Sequence, residues 1–220
     1  MAHQKVLVHG ALGKMGQEVL RAVSRDPDLT PIAAVDIKAQ SNSLLLPDGS
    51  RSIPLSAEVG TCIEAHRPDV LVDFTNAAGS LPALRVAIRH GVAVVSGTTG
   101  FSEDALDEIR RLCREHQVGA IIAPNFALAA VLMMHLSRTA APFFDHADII
   151  ELHHEQKLDA PSGTAIATAK DMARARGNKF IYPAAGSENV PASRGGQIDG
   201  IAIHSVRLPG MLAHQEVIFG

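Results

Sequence analysis

Two adjacent histidines, a lysine and a helix-opening Ser-Gly-Thr fall close together in the run Glu-Leu-His-His-Glu-Gln-Lys-Leu-Asp-Ala-Pro-Ser-Gly-Thr-Ala, residues 151–165. Histidine gains or loses a proton near neutral pH, so His153 and His154 are candidate acids or bases. Lys157 adds a full positive charge. The first turn of a helix has backbone N–H groups without partners and carries the positive end of the dipole. Ser162, Gly163 and Thr164 can therefore hold an anion, and Gly163 lets it come close. Proton transfer to a small substrate bearing carboxylates is the chemistry these residues suit. Taken one at a time, each fits a plainer reading better: a histidine satisfying a strand's end, a lysine solvated at the surface. The run as a whole favours the chemical reading.

Such residues need a strand and a helix to hold them. Ala147-Asp-Ile-Ile-Glu-Leu152 is apolar and β-branched, as strands are, which places His153 and His154 at its end with their rings on opposite sides. Asp159-Ala-Pro-Ser162 carries turn and N-cap residues, and Gly163 to Arg176 has helical spacing, so a helix is predicted from about Ser162.

A second candidate set lies near the start of the chain. Lys5-Val-Leu-Val-His9 reads as a strand and Val19, Leu20 and Val23 as a helix face. Between them Gly10, Ala11, Leu12, Gly13, Lys14, Met15 and Gly16 form G-x-x-G-x-x-G. This is a variant of the dinucleotide fingerprint, in which backbone amides approach a pyrophosphate at a helix N-terminus. On its own the pattern is equally a tight turn with packing glycines. Context favours the cofactor reading, because Pro31 to Val35 gives a second strand ending at Asp36, an acid placed to bind ribose hydroxyls. Lys14 and Lys38 supply opposing positive charge. Gly97-Thr98-Thr99-Gly100 follows another apolar strand, and its hydroxyls suit either the nicotinamide side of a cofactor or a turn and N-cap.

Further strands are predicted at 70–75, 92–96 and 118–123, with helices at 59–66, 77–90, 102–117 and 128–139. Residues 37–58 read as a long loop that leaves room for one short strand near Ile53. This alternation predicts an α/β, doubly wound parallel (Rossmann-like) domain over residues 1–124. Residues 125–220 are predicted as an α+β substrate and oligomerisation domain, its strands in 194–207 and 216–219 alternating as antiparallel strands do.

Composition narrows the classes. With 46% hydrophobic and 20% charged residues the chain is an ordinary globular one, and a net charge of -3 gives no support to a nucleic-acid partner. No apolar run is long enough for a membrane span, and a cytoplasmic location is the expectation. Cys62 and Cys113 lack a metal-ligand pattern and read as reduced thiols. The eleven histidines do not show metal-ligand spacing, so no metal is predicted.

The string E-L-H-H-x-x-K-x-D-A-P-S-G-T-A resembles the signature of the 4-hydroxy-tetrahydrodipicolinate reductases, enzymes of the diaminopimelate route to lysine. Gly97-Thr98-Thr99, the A-P-N-F segment and R-G-G-x-I-x-G-x-x-I-H-S-V-R-x-P-G from Arg194 extend the likeness over almost the whole chain. The resemblance implies reduction of a cyclic dicarboxylate by NADH or NADPH in a homotetramer. His153 and Lys157 would donate the proton, and His154, Lys157, Gly163 and Thr164 would hold carboxylates. Gly10 to Gly16, Asp36, Lys38, Gly97 to Thr99, Ala123, Pro124, Asn125 and Phe126 would hold the cofactor. Arg194 fits either a carboxylate contact or a solvated turn. Family members continue through a further strand and helix, so a longer chain is expected to be the more stable. Two other readings stay open: an amino-acid dehydrogenase of the same architecture, and a non-catalytic dinucleotide sensor. Cofactor oxidation with and without the dicarboxylate separates the three.

Overall fold

The structure, a computed structural model, describes residues 3–123, 125–184 and 186–220. The chain divides into two compact units, Met1–Ala123 and Pro124–Gly220.

The first unit comprises β1 (Gln4–His9), α1 (Lys14–Arg25), β2 (Leu29–Val35), β3 (Ser43–Leu45), β4 (Ser52–Ser56), α2 (Val59–His66), β5 (Val70–Asp73), α3 (Ala77–Arg89), β6 (Ala93–Ser96), α4 (Glu103–His116) and β7 (Ala120–Ile122). Successive residues of β1 enter different cores. Val6 and Val8 pack with Leu20 and Val23 of α1, whereas Leu7 joins Leu71, Leu84 and Ile88 with Ile109 and Leu112 of α4. Helices therefore cover both faces, and a strand buried on both faces needs the continuous apolar run Val6-Leu-Val8. The order is β3-β4-β2-β1-β5-β6-β7, every pair parallel except β3 with β4. From β4 onward this is the Rossmann order, so the expected doubly wound sheet is present. At β1 the order reverses, since β2 lies on one side of it and β5 on the other. The carboxyl ends of these strands part there and open a crevice.

The short strand expected near Ile53 is present as β4, but the loop reading of 37–58 is corrected at Ser43–Leu45, where β3 pairs antiparallel with it. β4 also extends the parallel sheet beyond β2 through Ala34↔Leu55 and Val35↔Ser56. Ile53 and Leu55 are buried in alternation while Pro54 between them is exposed. A three-residue strand such as β3 is too short for periodicity to disclose.

The second unit comprises α5 (Leu128–Ala140), a turn of tight helix (Ala141–Phe143), β8 (Ala147–His153), α6 (Gly163–Arg176), β9 (Gly196–Ile198), β10 (Ile201–Arg207) and β11 (Ala213–Phe219). Its sheet runs β11-β8-β10-β9. The expectation of antiparallel pairing fails at the centre, where β8 and β10 are parallel. The reason is the connection: α6 carries the chain back across the sheet between them, as a parallel pair requires. Pairing is antiparallel for β11 with β8 and for β9 with β10. The small side chains Ala165 and Ala169, one turn apart on α6, pack with Met172 against Ile149, Ile201 and Ile203. That contact fixes the height of the helix over β8. It begins where expected, with Ser162 as N-cap, the hydroxyl accepting the Ala165 N–H at 3.2 Å.

Candidate active site

At the reversal point of the first sheet lies a cleft of about 740 Å³, walled by residues at the carboxyl ends of β1, β2, β4 and β5: His9, Gly10, Asp36, Ala57, Phe74 and Thr75 among them. Gly10 has φ +79°, and a Cβ there would stand 2.7 Å from the Phe74 carbonyl oxygen. Gly16 makes a closer approach still, because a Cβ on it would lie 2.1 Å from the Gly10 oxygen and 2.7 Å from Ala11 Cα. Only glycine lets α1 start this close to the turn. No side chain caps α1 at Gly13, which lines the cleft, so no capping side chain occupies the start of that helix. These features fit the pyrophosphate of a dinucleotide. Gly16→Ala is expected to cost about 1–3 kcal/mol by overpacking and to abolish NADH binding. A thermal melt with a cofactor titration checks this, and a wild-type dissociation constant would contradict it.

Asp36 sits at the end of β2, 8% exposed. Its two oxygens accept the backbone N–H groups of Leu12 and Lys38, each at 2.9 Å. It thus ties the glycine turn to the chain beyond β2. A carboxylate has about four acceptor positions, so a ribose diol is still accommodated. Lys14, Met15, Leu12 and Lys38 are exposed.

Behind the cleft a carboxylate absent from the sequence-based candidates collects the strand ends. Asp73 is fully buried and accepts the hydroxyls of Thr75 (2.8 Å), Ser80 (2.5 Å), Ser96 (2.7 Å) and Thr98 (2.8 Å), with His9 Nδ1 at 2.9 Å. Burial acts to raise its pKa. The hydrogen bonds from His9, Ser80, Ser96 and Thr75 overcome this and hold it at about 2. The Thr98 hydroxyl, expected to face a cofactor, is instead committed to Asp73 and to the Thr75 N–H at 3.0 Å. Gly97 lies where a Cβ would meet the Phe74 ring at 2.1 Å, and Thr99 is exposed.

In the second unit, His153 at the end of β8 and Ser162 and Thr164 at the start of α6 share a cleft of about 400 Å³. Asn125, Met133, His214, Gln215 and Glu216 contribute to its walls. The first intrahelical bond, from the Ile166 N–H to the Ser162 carbonyl, leaves the Gly163 and Thr164 amides ahead of it. A candidate anion position and a candidate proton donor therefore share one cavity. Behind His153, Glu151 is 0% exposed. It takes two hydrogen bonds from Arg207 of β10 (2.8 and 2.9 Å), one from the Ser162 N–H (3.2 Å), and approaches His153 Nδ1 at 2.5 Å. Burial acts to raise the Glu151 pKa, but hydrogen bonds from Arg207, Ser205 and His153 hold it at about 2.

Other expected residues lie elsewhere. Lys157 and His154 are not among the described residues lining this cleft. Lys157 Nζ donates to Asp159 Oδ1 at 2.7 Å, and His154 is exposed. Gly163 is half-buried beside Thr164. Arg194 approaches Asp148 at 3.4 Å and stacks over Tyr182, which favours the structural reading of that residue. Ala123 follows β7 and donates its N–H to the Ser96 carbonyl. Asn125 caps the Ala127 N–H at 2.8 Å, Phe126 is 47% exposed, and Pro124 lies outside the described residues. Sequence reasoning missed Glu151 and Arg207 as a pair, although strand alternation places Glu151 on the face of His153. Asp73 carried a comparable signal, an acid closing an apolar strand.

Two family models cover the chain: dihydrodipicolinate reductase, N-terminus, over residues 4–126, and dihydrodipicolinate reductase, C-terminus, over residues 129–220. A 4-hydroxy-tetrahydrodipicolinate reductase of Dehalococcoides mccartyi is 55% identical over 216 residues, 98% of this chain and 81% of the relative. That of Moorella thermoacetica is 47% identical over 221 residues, with the same shares covered. A solved structure, dipicolinate-bound dihydrodipicolinate reductase from Paenisporosarcina sp. TG-14, matches with a TM-score of 0.79 at 38% identity, covering 99% of this chain and 83% of that one.

Proposed function

Since the chain belongs to the dihydrodipicolinate reductase family, its chemistry is an NAD(P)H-dependent reduction, and we propose how its own residues carry it out. The substrate is 4-hydroxy-tetrahydrodipicolinate and the product tetrahydrodipicolinate, on the diaminopimelate route to lysine. A hydride and a proton are gained and water is lost. The bound nicotinamide cofactor supplies the hydride. His153 is the proton donor, with Lys157 beside it in that role. The amides of Gly163 and Thr164, with His154 and Lys157, hold the substrate's carboxylates. Gly10 to Gly16, Asp36, Lys38, the backbone of Gly97 to Thr99, and Ala123 to Phe126 hold the cofactor. The enzyme works in the cytoplasm as a homotetramer.

The observation that carries this reading is the single cleft shared by His153 and the start of α6, an acid and an anion position together. The dipicolinate named in the Paenisporosarcina sp. TG-14 structure is a cyclic dicarboxylate of the class such a cleft suits. Lys157 must leave Asp159 to take part. That pair is 22% and 60% exposed on its two side chains, and an ion pair so exposed is worth about 0–1 kcal/mol. A dianion displaces it readily. The test is cofactor oxidation by the purified chain. Turnover only with the cyclic dicarboxylate supports the reading, oxidation with an amino acid points to another dehydrogenase, and binding without oxidation points to a sensor.

Cofactor choice follows from the charges around the first cleft. Asp36 repels a 2′-phosphate and favours a free diol, while Lys14 and Lys38 attract the phosphate. The lysines are exposed and screened by salt, and the buried Asp36 is much less so. NADH and NADPH are both expected to serve, with added salt moving the preference toward NADH. Kinetics with both cofactors at two salt concentrations check this. A salt-independent preference on the order of a thousandfold, about 4 kcal/mol, would contradict it.

A further inference from the structure

Glu151 is a costly residue to place where it is. Its neighbours on the inner face of β8 are Ala147 and Ile149, its side chain has no exposed surface, and an apolar residue there would cost nothing to desolvate. Arg207 neutralises it with a paired, two-bond contact from β10, yet such buried ion pairs are often replaced by apolar residues without loss of stability. Stability alone therefore does not explain the acid. Its other two partners do: His153, the proton donor, and the N–H of Ser162, the N-cap of the helix that offers the anion position. We infer that Glu151 is a positioning residue for the reductase reaction, holding His153 as its Nδ1–H tautomer and fixing the donor and the anion-binding helix start in one register. This rests on the role given above to His153.

The chemistry behind it is direct. An ionised carboxylate only accepts hydrogen bonds, so the ring nitrogen at 2.5 Å must be the donor and carry a proton in both charge states of the ring. Nε2 is then the atom that gives up the catalytic proton, and deprotonation leaves the ring in the correct tautomer for recharging.

Glu151→Gln keeps the shape and removes the charge. The expected result is a kcat lowered about ten- to hundredfold with the NADH dissociation constant unchanged. A variant that melts lower but keeps the wild-type kcat would make Glu151 merely structural and overturn the inference. The tautomer provides a second reading that needs neither turnover nor a folded Glu151 variant. ¹⁵N NMR of the wild-type imidazole, assigned by its loss in His153→Gln, should show the neutral ring protonated at Nδ1, and a ring protonated at Nε2 overturns the inference. If instead the wild-type enzyme fails to oxidise cofactor with the dicarboxylate, the proposed reaction falls while the tautomer result stands by itself.

Discussion

His153→Gln is expected to lower kcat on the order of a hundredfold to ten-thousandfold, the range that a positioned general acid contributes, with cofactor binding intact. That is about 3–5 kcal/mol of transition-state stabilisation. Hydride arrival leaves negative charge moving toward the ring nitrogen of the substrate, and the barrier falls if a proton is delivered as that charge develops. Glutamine fills the imidazole's place and can still hydrogen-bond to Glu151, but has no proton to transfer. With NADH held by the glycine turn and Asp36, as proposed, a fluorescence titration should give a wild-type dissociation constant. Thr164→Val supplies the contrast. It removes a hydroxyl from the cleft wall and leaves the donor in place, so it should chiefly raise KM for the dicarboxylate, as loss of uniform binding does. Lys157→Ala should lower kcat and raise KM together, because a displaced Lys157 both binds and donates. If His153→Gln kept a near-normal kcat from about pH 6 to about pH 9, the donor would have to be sought elsewhere, with His154 the next residue to change.

These contrasts also mark what a linear sequence discloses. The strand leading to His153 and the helix from Ser162 were legible because they rest on local chemistry: β-branched residues in one, an N-cap serine and small apolar spacing in the other. The doubly wound parallel sheet was legible from five apolar runs separated by helical spacing. A short strand near Ile53 was legible too, but β3 was not, since three residues within polar surroundings resemble a loop until β4 is seen beside them. The parallel pairing of β8 with β10 depends on where α6 crosses, a tertiary fact. The buried acids show the same limit. Glu151 acquires its meaning from Arg207, 56 residues later, and Asp73 from Ser96 and Thr98, more than twenty residues on. Charge in an apolar strand signals that a partner exists without naming it.

Those two carboxylates, one in each unit, make the chain's stability steeply acid-sensitive. Folding lowers both pKa values, Asp73 from 3.8 and Glu151 from 4.5, each to about 2. A carboxyl whose pKa is lower in the folded than in the unfolded state contributes stability above the unfolded value. That contribution disappears as pH falls through the folded value. At about 1.4 kcal/mol per pKa unit, Asp73 is worth roughly 2 kcal/mol. Glu151 comes nearer 3, trimmed by solvent screening to about 2 because Arg207, which stabilises it, is 19% exposed at its side chain. The sum, about 4 kcal/mol, approaches the whole stability of many domains. Unfolding free energy should therefore be flat from about pH 7 to about pH 5, decline below about pH 4.5, and level off only below about pH 2. Because the chain has two units, a single transition is not the right readout. Amide hydrogen exchange at Leu71 and Ile149 follows the two hubs separately. Asp73→Asn should weaken protection at Leu71 near neutral pH and flatten its loss in acid while leaving Ile149 unchanged, and Glu151→Gln should do the reverse. An acid limb at Leu71 that is as steep in Asp73→Asn as in the wild type would mean that other carboxylates govern the acid response of that unit.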